Sequence, residues 1–168
     1  MKEEMVDIVN DNNEIIDTVP RSVMDKKILR SRVSRIIIMN SKKQILLQKR
    51  ASTKKRFPDH WDLGVAETIQ AGESYDNGAI RGMKEELGIN AKKELKLLFK
   101  IKYDDEVTKR FYNVYSFIYD DKIRIDETEV SEIKFVTKKE LEKMIKTEKF
   151  IPASIAMYKK YSEEYNDN

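Results

Sequence analysis

The sequence predicts an α/β fold in which a mixed β-sheet lies between helical layers. Short β-branched or alternating apolar runs recur up to residue 136, one amphipathic helical stretch interrupts them, and helical stretches follow the last of them. Strands and helices in this order are typical of a mixed sheet covered by helices. The 168 residues, 40% hydrophobic and 38% charged, suit one domain with a substantial core.

The strands before the central helix are predicted from apolar runs separated by turn residues. Asn10-Asp11-Asn12-Asn13 indicates a hairpin turn, and Pro20 ends the second strand. Residues 22–29 read as a connector or short helix, 51–58 as a basic loop, and 61–70 as irregular or strand-like. The four predicted strands, of which the last two pair antiparallel, are 5–9, 14–19, 32–39 and 44–49.

Residues 74–87 predict a helix that begins after the N-cap Ser74. At 100° per residue, one side is apolar; its members are Ala79, Ile80, Met83 and Leu87. Gly78 and Gly82 fall on the opposite side with Glu85, and Glu86 lies at the margin. Two carboxylates beside exposed backbone predict a cleft that holds a hard divalent cation on phosphate oxygens. A solvated glutamate pair with an Arg81–Glu85 contact is the alternative.

The second half of the chain predicts more strands and then two helices. Alternation of apolar and lysine residues indicates a half-buried strand at 95–103, and further strands are expected at 111–119 and 129–136. Thr137 and Glu140 have the spacing of a capping box, so a helix begins there. A last helix is predicted over 153–165, opened by Pro152.

Composition excludes several classes of protein. The absence of cysteine excludes disulfides, thiolate metal sites and thiol nucleophiles. No apolar run approaches the ~20 residues of a membrane span, so no membrane partner is expected. The N-terminus carries acidic residues where a signal peptide has a basic start, which predicts a cytoplasmic protein.

The net charge of +3 is unevenly distributed. Twelve Lys or Arg and no acidic residue lie between Lys26 and Arg56, whereas six acids and two bases lie between Asp120 and Glu132. The basic tract is either a solvated surface or a wall that attracts a phosphorylated small molecule. Nucleic-acid binding is the least favoured interpretation, because exposed aromatic residues do not interleave with these charges.

Residues 67–89 resemble the Nudix box: glycine, five residues, glutamate, seven residues, then Arg-Glu-apolar-X-Glu-Glu-X-Gly-apolar. Seven of the nine specified positions match, namely Glu73, Arg81, Met83, Glu85, Glu86, Gly88 and Ile89. Two positions depart from the pattern. Glu67 stands where the box has its first glycine, and Gly82 replaces a glutamate that commonly helps to hold the metal in the family.

Weaker matches outside the box are similar to the isopentenyl-diphosphate-isomerase-like branch of Nudix proteins. They are Val6–Asn10, Pro20-Arg21, Leu46–Arg50, Phe57-Pro58 with Trp61-Asp62, and Glu129–Glu132. The resemblance implies a Nudix-type α/β/α sandwich with a loop-helix-loop catalytic motif. We expect a single domain over 1–168, with a hairpin extension at 1–30, the box at 67–89 and C-terminal helices at 137–168. Without cysteine, and with His60 as the only histidine, isomerase activity is not expected.

The resemblance implies a hydrolase that uses Mg²⁺ or Mn²⁺ to cleave a diphosphate linkage in a nucleoside diphosphate derivative or a related organic diphosphate. The implied metal ligands are Glu85 and Glu86, supported by Glu73 and Arg81. Glu67, Glu127 and Glu129 are the candidates for a carboxylate that compensates for Gly82 or that serves as the general base. Arg50 and Arg35 are candidates for substrate phosphates. A monomer or a homodimer is expected.

Gly82 also leaves a second hypothesis open, that of a Nudix-fold protein with weakened catalysis that binds a ligand or partner. The substitution Glu86→Gln is expected to abolish hydrolysis. Gly82→Glu is expected to raise turnover if a missing ligand limits the natural chain, and to give no gain if Glu67 or another carboxylate already fills that place.

Overall fold

The computed structural model describes residues 2–91 and 94–165. Nine strands and four helices occur within these ranges: β1 Met5–Val9, β2 Ile15–Pro20, α1 Arg21–Lys27, β3 Ser31–Met39, β4 Ile45–Arg50, β5 Trp61–Leu63, β6 Val65–Thr68, α2 Tyr75–Leu87, β7 Lys96–Asp104, β8 Lys109–Ile118, β9 Val130–Val136, α3 Lys138–Thr147 and α4 Pro152–Glu164. The predicted strands and helices therefore form, and the loop at 61–70 contains two short strands.

Seven of these strands form one mixed sheet, as predicted. Strand β3 pairs in parallel with β8 along its whole length and antiparallel with β6. Strand β8 pairs antiparallel with β7, while β4 pairs antiparallel with β5 and β9. The predicted antiparallel pairing of β3 with β4 is confined to Met39 and Ile45. Its expected extent was wrong because β6 occupies the side of β3 from Val33 to Ile36.

The sheet separates two hydrophobic cores, as expected for a sheet between helical layers. Alternate residues of β3 point to opposite faces, so Val33 and Ile37 join one core while Ile36 and Ile38 join the other. Helix α2 covers the second core. Helices α3 and α4 cover the first, and Thr137 and Glu140 form the predicted capping box at the start of α3.

The buried face of α2 differs from the predicted one. Ile80 is 40% exposed, whereas Gly78 and Gly82 are buried. The glycines allow α2 to approach β6 and the following loop closely, so the buried arc turns toward them and away from Ile80. The expected strip of exposed backbone is therefore a packing surface.

The predicted N-terminal hairpin forms, with β1 paired antiparallel to β2. It packs with α1 through a small apolar cluster of Val6, Ile8 and Met24. The amide of Ala71 also donates a hydrogen bond to the carbonyl of Met5 at 2.8 Å, which ties the hairpin to the loop before α2. Across residues 2–91 and 94–165, none of the helices has the length and apolar character that crossing a bilayer requires.

Candidate active site

A cavity of about 780 Å³ opens where the hairpin extension, β3, β6, α2 and the loop after β4 meet. Carboxylates from the box line one side of it, and arginine side chains line much of the rest. The segment between β8 and β9 closes the carboxylate side, because the amides of Arg124 and Asp126 donate hydrogen bonds at 3.0 Å to the carbonyls of Leu87 and Glu86. The cavity is therefore built from elements far apart in the sequence.

Arg81 fixes the position of the loop relative to α2. Its Nε and Nη2 atoms each donate a hydrogen bond of 2.9 Å to the Glu73 carboxylate, and Nη2 also donates to the carbonyl of Thr68 at 3.0 Å. The amide of Gln70 donates to the same carboxylate at 2.9 Å. The hydrogen bonds to Glu73 raise the pKa of Arg81. Arg81 and Glu73 thus join the loop before α2 to the helix.

The ionised carboxylate of Glu73 is expected to stabilise the fold. Partial burial alone would raise the pKa of its carboxyl, but the bonds from Arg81 and Gln70 lower it overall. Because the folded-state pKa is lowered, this stabilisation is present above the unfolded pKa and is lost as the pH falls through the folded pKa. We expect Glu73→Gln to reduce the free energy of unfolding by about 2 kcal/mol at pH 7, and by less at pH 3, which lies below the ordinary glutamate pKa of 4.5.

Urea unfolding at the two pH values measures this effect. Glu106→Gln, in an exposed turn, is the matched control and should change little at either pH. An equal loss for Glu73→Gln at pH 7 and pH 3 would show that its ionisation contributes nothing.

Glu86 projects into the inner part of the carboxylate side. Gln48 Nε2 donates a hydrogen bond of 2.6 Å to its Oε2 atom. Burial of the carboxyl, followed by the charge of Glu67, raises the pKa of Glu86 to about 8, although the bond from Gln48 acts in the opposite direction. Asp62 and Glu129 add smaller effects that also raise this pKa. Negative groups thus surround Glu86, as in a site that attracts a cation.

Glu67 reaches the same region from β6 and lies against Gly82. A Cβ atom placed on Gly82 would come within 2.7 Å of Glu67 Cβ, 3.0 Å of its Cγ and 3.2 Å of its Oε2. The Glu67 side chain therefore occupies the space into which a glutamate at position 82 would project. Its Oε1 atom lies 3.1 Å from Arg81 Nη1. Burial raises the pKa of Glu67, and the charges of Arg81 and Arg21 oppose that rise.

The remaining predicted carboxylates differ in their position relative to the cavity. Glu85 lies at the rim, with a side chain that is 59% exposed and an oxygen 3.4 Å from Arg81 Nη1. Glu129 also lines the cavity and pairs with Lys54. Glu127 is exposed and does not line it. The structure therefore does not bring Glu127 together with the other predicted site residues, because the turn at 126–129 directs it outward.

Both predicted phosphate-binding arginines line the cavity, in different ways. Arg35 is buried and donates hydrogen bonds to Asp62 Oδ1 at 2.6 Å and to the carbonyl of Leu63 at 2.7 Å. Its Nε atom is buried without a partner. Arg50 donates from Nε to the carbonyl of Arg56 at 3.0 Å. Arg35 is thus committed mainly to the protein wall, while Arg50 retains donors for a ligand.

The residues on the carboxylate side fit a hard divalent cation. In the described part of the chain, no three Asp, Glu or His side chains already converge as a metal cage. Arg81 and Gln48 instead hold the carboxylates of Glu67 and Glu86. The Oε1 atom of Gln48 is buried without a hydrogen-bond partner. Carboxylate and amide oxygens are the ligands that Mg²⁺ and similar ions prefer, so this set suits such an ion.

Sequence reasoning did not identify several of the residues that form the site. They are Arg21, Asp25, Arg56, Asp62, Arg110 and Tyr112. Gln48, which contacts Glu86 from β4, was missed as well. A polar Gln48 within an otherwise apolar run was a detectable signal. Arg110 carried none, because a basic residue at the start of an alternating strand is usually exposed.

Comparison with known proteins agrees with the geometry. The NUDIX domain family matches residues 29–158. The uncharacterized Nudix hydrolase lmo0368 of Listeria monocytogenes is 31% identical over 158 residues, covering 87% of this chain and 87% of its own. The uncharacterized Nudix hydrolase YfcD of Escherichia coli K12 is 30% identical, covering 90% of this chain and 83% of its own.

The fold is also shared with a solved structure. The crystal structure of DR0079 from Deinococcus radiodurans superposes with a TM-score of 0.82 at 22% identity, covering 96% of this chain and 99% of that one. This likeness confirms the predicted α/β sandwich. The resemblance to the isopentenyl-diphosphate-isomerase-like branch stays a prediction. With more than half of its length matched by the family and relatives at 30% identity or more, the chain belongs to the Nudix hydrolase family.

Proposed function

We propose that this protein is a metal-dependent hydrolase that cleaves a diphosphate linkage in a nucleoside diphosphate derivative or a related organic diphosphate. The observation that carries the proposal is the packing of Glu67 on Gly82. The box lacks a glutamate on its helix, but a carboxylate from β6 fills the same space beside Glu86. The chain has exchanged the positions of a glutamate and a glycine, and it keeps the number of carboxylates at the site.

In this proposal Glu86 and Glu67 would hold Mg²⁺ or Mn²⁺. Glu85 lies at the rim, and the unpartnered oxygen of Gln48 would be a further metal ligand. When bound, such an ion neutralises the diphosphate and makes water a better nucleophile. Glu129 accepts the proton of the attacking water, since it lines the cavity. Its pairing with Lys54 holds it at the edge of the site.

The other side chains bind and position the substrate. Arg50 donates hydrogen bonds to a phosphate, which suits the planar fork of a guanidinium. Arg81 and Glu73 keep the loop fixed on α2 and so keep Glu67 and Glu86 adjacent. Arg35 holds Asp62 and thereby the wall beneath them.

A hydrolysis screen tests the proposal. The purified protein is incubated with a panel of nucleoside diphosphate derivatives and isoprenoid diphosphates in Mg²⁺, in Mn²⁺, and in excess EDTA. We expect cleavage of at least one compound at the diphosphate with either metal, and loss of at least 99% of that activity in EDTA, because an unneutralised diphosphate repels the nucleophile. Phosphorus NMR of the products identifies the bond that breaks.

The alternative function predicts a different result. If the panel shows tight binding by calorimetry but no turnover with either metal, the protein is a Nudix-fold ligand-binding protein. Turnover that is unaffected by EDTA would contradict the metal-dependent mechanism directly.

A further inference from the structure

Part of the cavity lining comes from residues that lie outside the family match. Glu4, Arg21 and Asp25 belong to the hairpin extension and α1, upstream of residue 29, yet all three line the cavity. They face Arg56 and Arg110 from the body of the domain. We call Arg21, Arg56 and Arg110 the basic wall.

The guanidinium groups of the basic wall gather around few carboxylates. Arg56 Nη1 lies 3.4 Å from Asp25 Oδ1, and Arg110 Nη2 lies 3.6 Å from the same oxygen. Arg21 Nη1 pairs with Glu4 at 2.9 Å and approaches Glu67 at 4.0 Å. Two guanidinium groups therefore share Asp25, and Arg21 connects the basic wall to the carboxylate side.

Most other partners of Arg56 and Arg110 are neutral. Arg56 donates to the carbonyl of Val107 at 2.6 Å and to the hydroxyl of Thr108 at 3.1 Å. Arg110 is only 4% exposed and donates to the carbonyls of Leu29 and Lys109. These bonds satisfy donors but add no negative charge, so the one carboxylate of Asp25 is shared between two guanidinium groups. Burial lowers the pKa of Arg110, as do the positive charges of Arg56 and Arg21, while Tyr112 and Asp25 act in the opposite direction.

We propose that the basic wall binds a second anionic group, a phosphate or a carboxylate, carried by the substrate at some distance from its diphosphate. If the carboxylate side holds a metal ion as proposed, it would take the diphosphate, and a wall of opposite charge in the same cavity would select a compound with another anion. An oxyanion at the wall would compensate the excess positive charge of Arg56 and Arg110 and accept their charge-assisted hydrogen bonds. This inference rests on the proposed function and specifies its substrate class.

Two pairs of compounds test the proposal. NADP⁺ and NAD⁺ share a diphosphate and differ by one phosphate, whereas UDP-glucuronate and UDP-glucose differ by one carboxylate. Dissociation constants are measured by calorimetry in Ca²⁺ for the natural chain, Arg56→Gln, Arg21→Gln and Arg124→Gln. Arg124 is exposed and does not line the cavity, so it provides the matched control. Circular dichroism confirms that each variant is folded.

We expect the anionic member of at least one pair to bind the natural chain about tenfold more tightly, as one charge-assisted contact allows. The pair that shows the preference identifies the group as phosphate or carboxylate. Arg56→Gln or Arg21→Gln should reduce the ratio toward one, and Arg124→Gln should leave it unchanged. Equal affinities within both pairs, or a preference that survives both basic-wall substitutions, would overturn the proposal.

The hydrolysis screen keeps this inference separate from the proposed function. A basic-wall-dependent preference without any turnover would refute the hydrolase and retain the anion site. Metal-dependent turnover with equal affinities within both pairs would refute the anion site and retain the hydrolase.

Discussion

Glu86→Gln is expected to lower kcat on the order of a thousandfold on any substrate that the hydrolysis screen identifies. Loss of a principal metal ligand removes several kcal/mol of charge stabilisation in the transition state. The amide of glutamine has nearly the same size and does not ionise, so it avoids the cost of burial that raises the pKa of Glu86. We therefore expect the variant to be folded and at least as stable as the natural chain in urea unfolding.

The control for this prediction is Glu127→Gln. It makes the same substitution at an exposed side chain that does not line the cavity. Its kcat should stay within about threefold of the natural value, since exposed substitutions away from a site have small effects. A Glu86→Gln variant with near-natural kcat would remove Glu86 from the mechanism, and the binding hypothesis would then be favoured.

Gly82→Glu restores the residue that the Nudix box has, yet we expect it to impair the protein. The three atoms nearest to a Cβ at position 82 all belong to Glu67, the closest at 2.7 Å. Overpacking of this kind costs about 1–3 kcal/mol, which outweighs the ~1 kcal/mol gained by replacing a helical glycine. Turnover should also fall, on the order of a hundredfold, because Glu67 is displaced from Glu86.

The exchanged variant Glu67→Gly/Gly82→Glu should recover what the single variant loses. Glycine at position 67 removes all three clashing atoms, and the new glutamate enters the same space from α2 instead of β6. We expect the free energy of unfolding to return to within about 1 kcal/mol of the natural value, because the overpacking of the single variant is gone. We also expect kcat to rise at least tenfold above that of either single variant.

The matched control for the exchange is Asn77→Glu, which adds the same charge to an exposed position of α2. It should change neither stability nor turnover appreciably. If the losses of kcat and of unfolding free energy in the two single variants simply add, the exchanged variant will be worse than both. That result would show that positions 67 and 82 do not substitute for each other.

Sequence patterns predicted the fold well because they report local periodicity. The capping box at Thr137 and the alternation of β7 from Phe99 to Tyr103 depend on residues close in the chain, and both appear in the structure. Leu97 breaks the expected alternation, because it is 45% exposed beside a shift in the pairing with β8. The extent of the β3–β4 pairing was not predictable, since pairing depends on which distant strand competes for the same side of β3. The exposure of Ile80 follows from glycine packing against β6, which is also a long-range contact.

The candidate site was only partly predictable for the same reason. The resemblance to the box implied a supporting role for Arg81 and Glu73, which pair in the structure. The helix pattern predicted a cleft beside Glu86, which lines the cavity. Glu127 and Glu129 lie outside the box, and the sequence could not show which of them faces the cavity, because the geometry of a four-residue turn decides it. Arg21 and Arg110 lie far apart in sequence and meet through the hairpin extension, so no local pattern indicated the basic wall.

The most direct measurement of the central claim is the anomalous diffraction of a crystal soaked in Mn²⁺. We predict a single strong peak in the cavity about 2 Å from carboxylate oxygens of both Glu67 and Glu86. A peak that contacts Glu86 but not Glu67, or no peak in the cavity at saturating Mn²⁺, would contradict the claim that Glu67 supplies the carboxylate that Gly82 cannot.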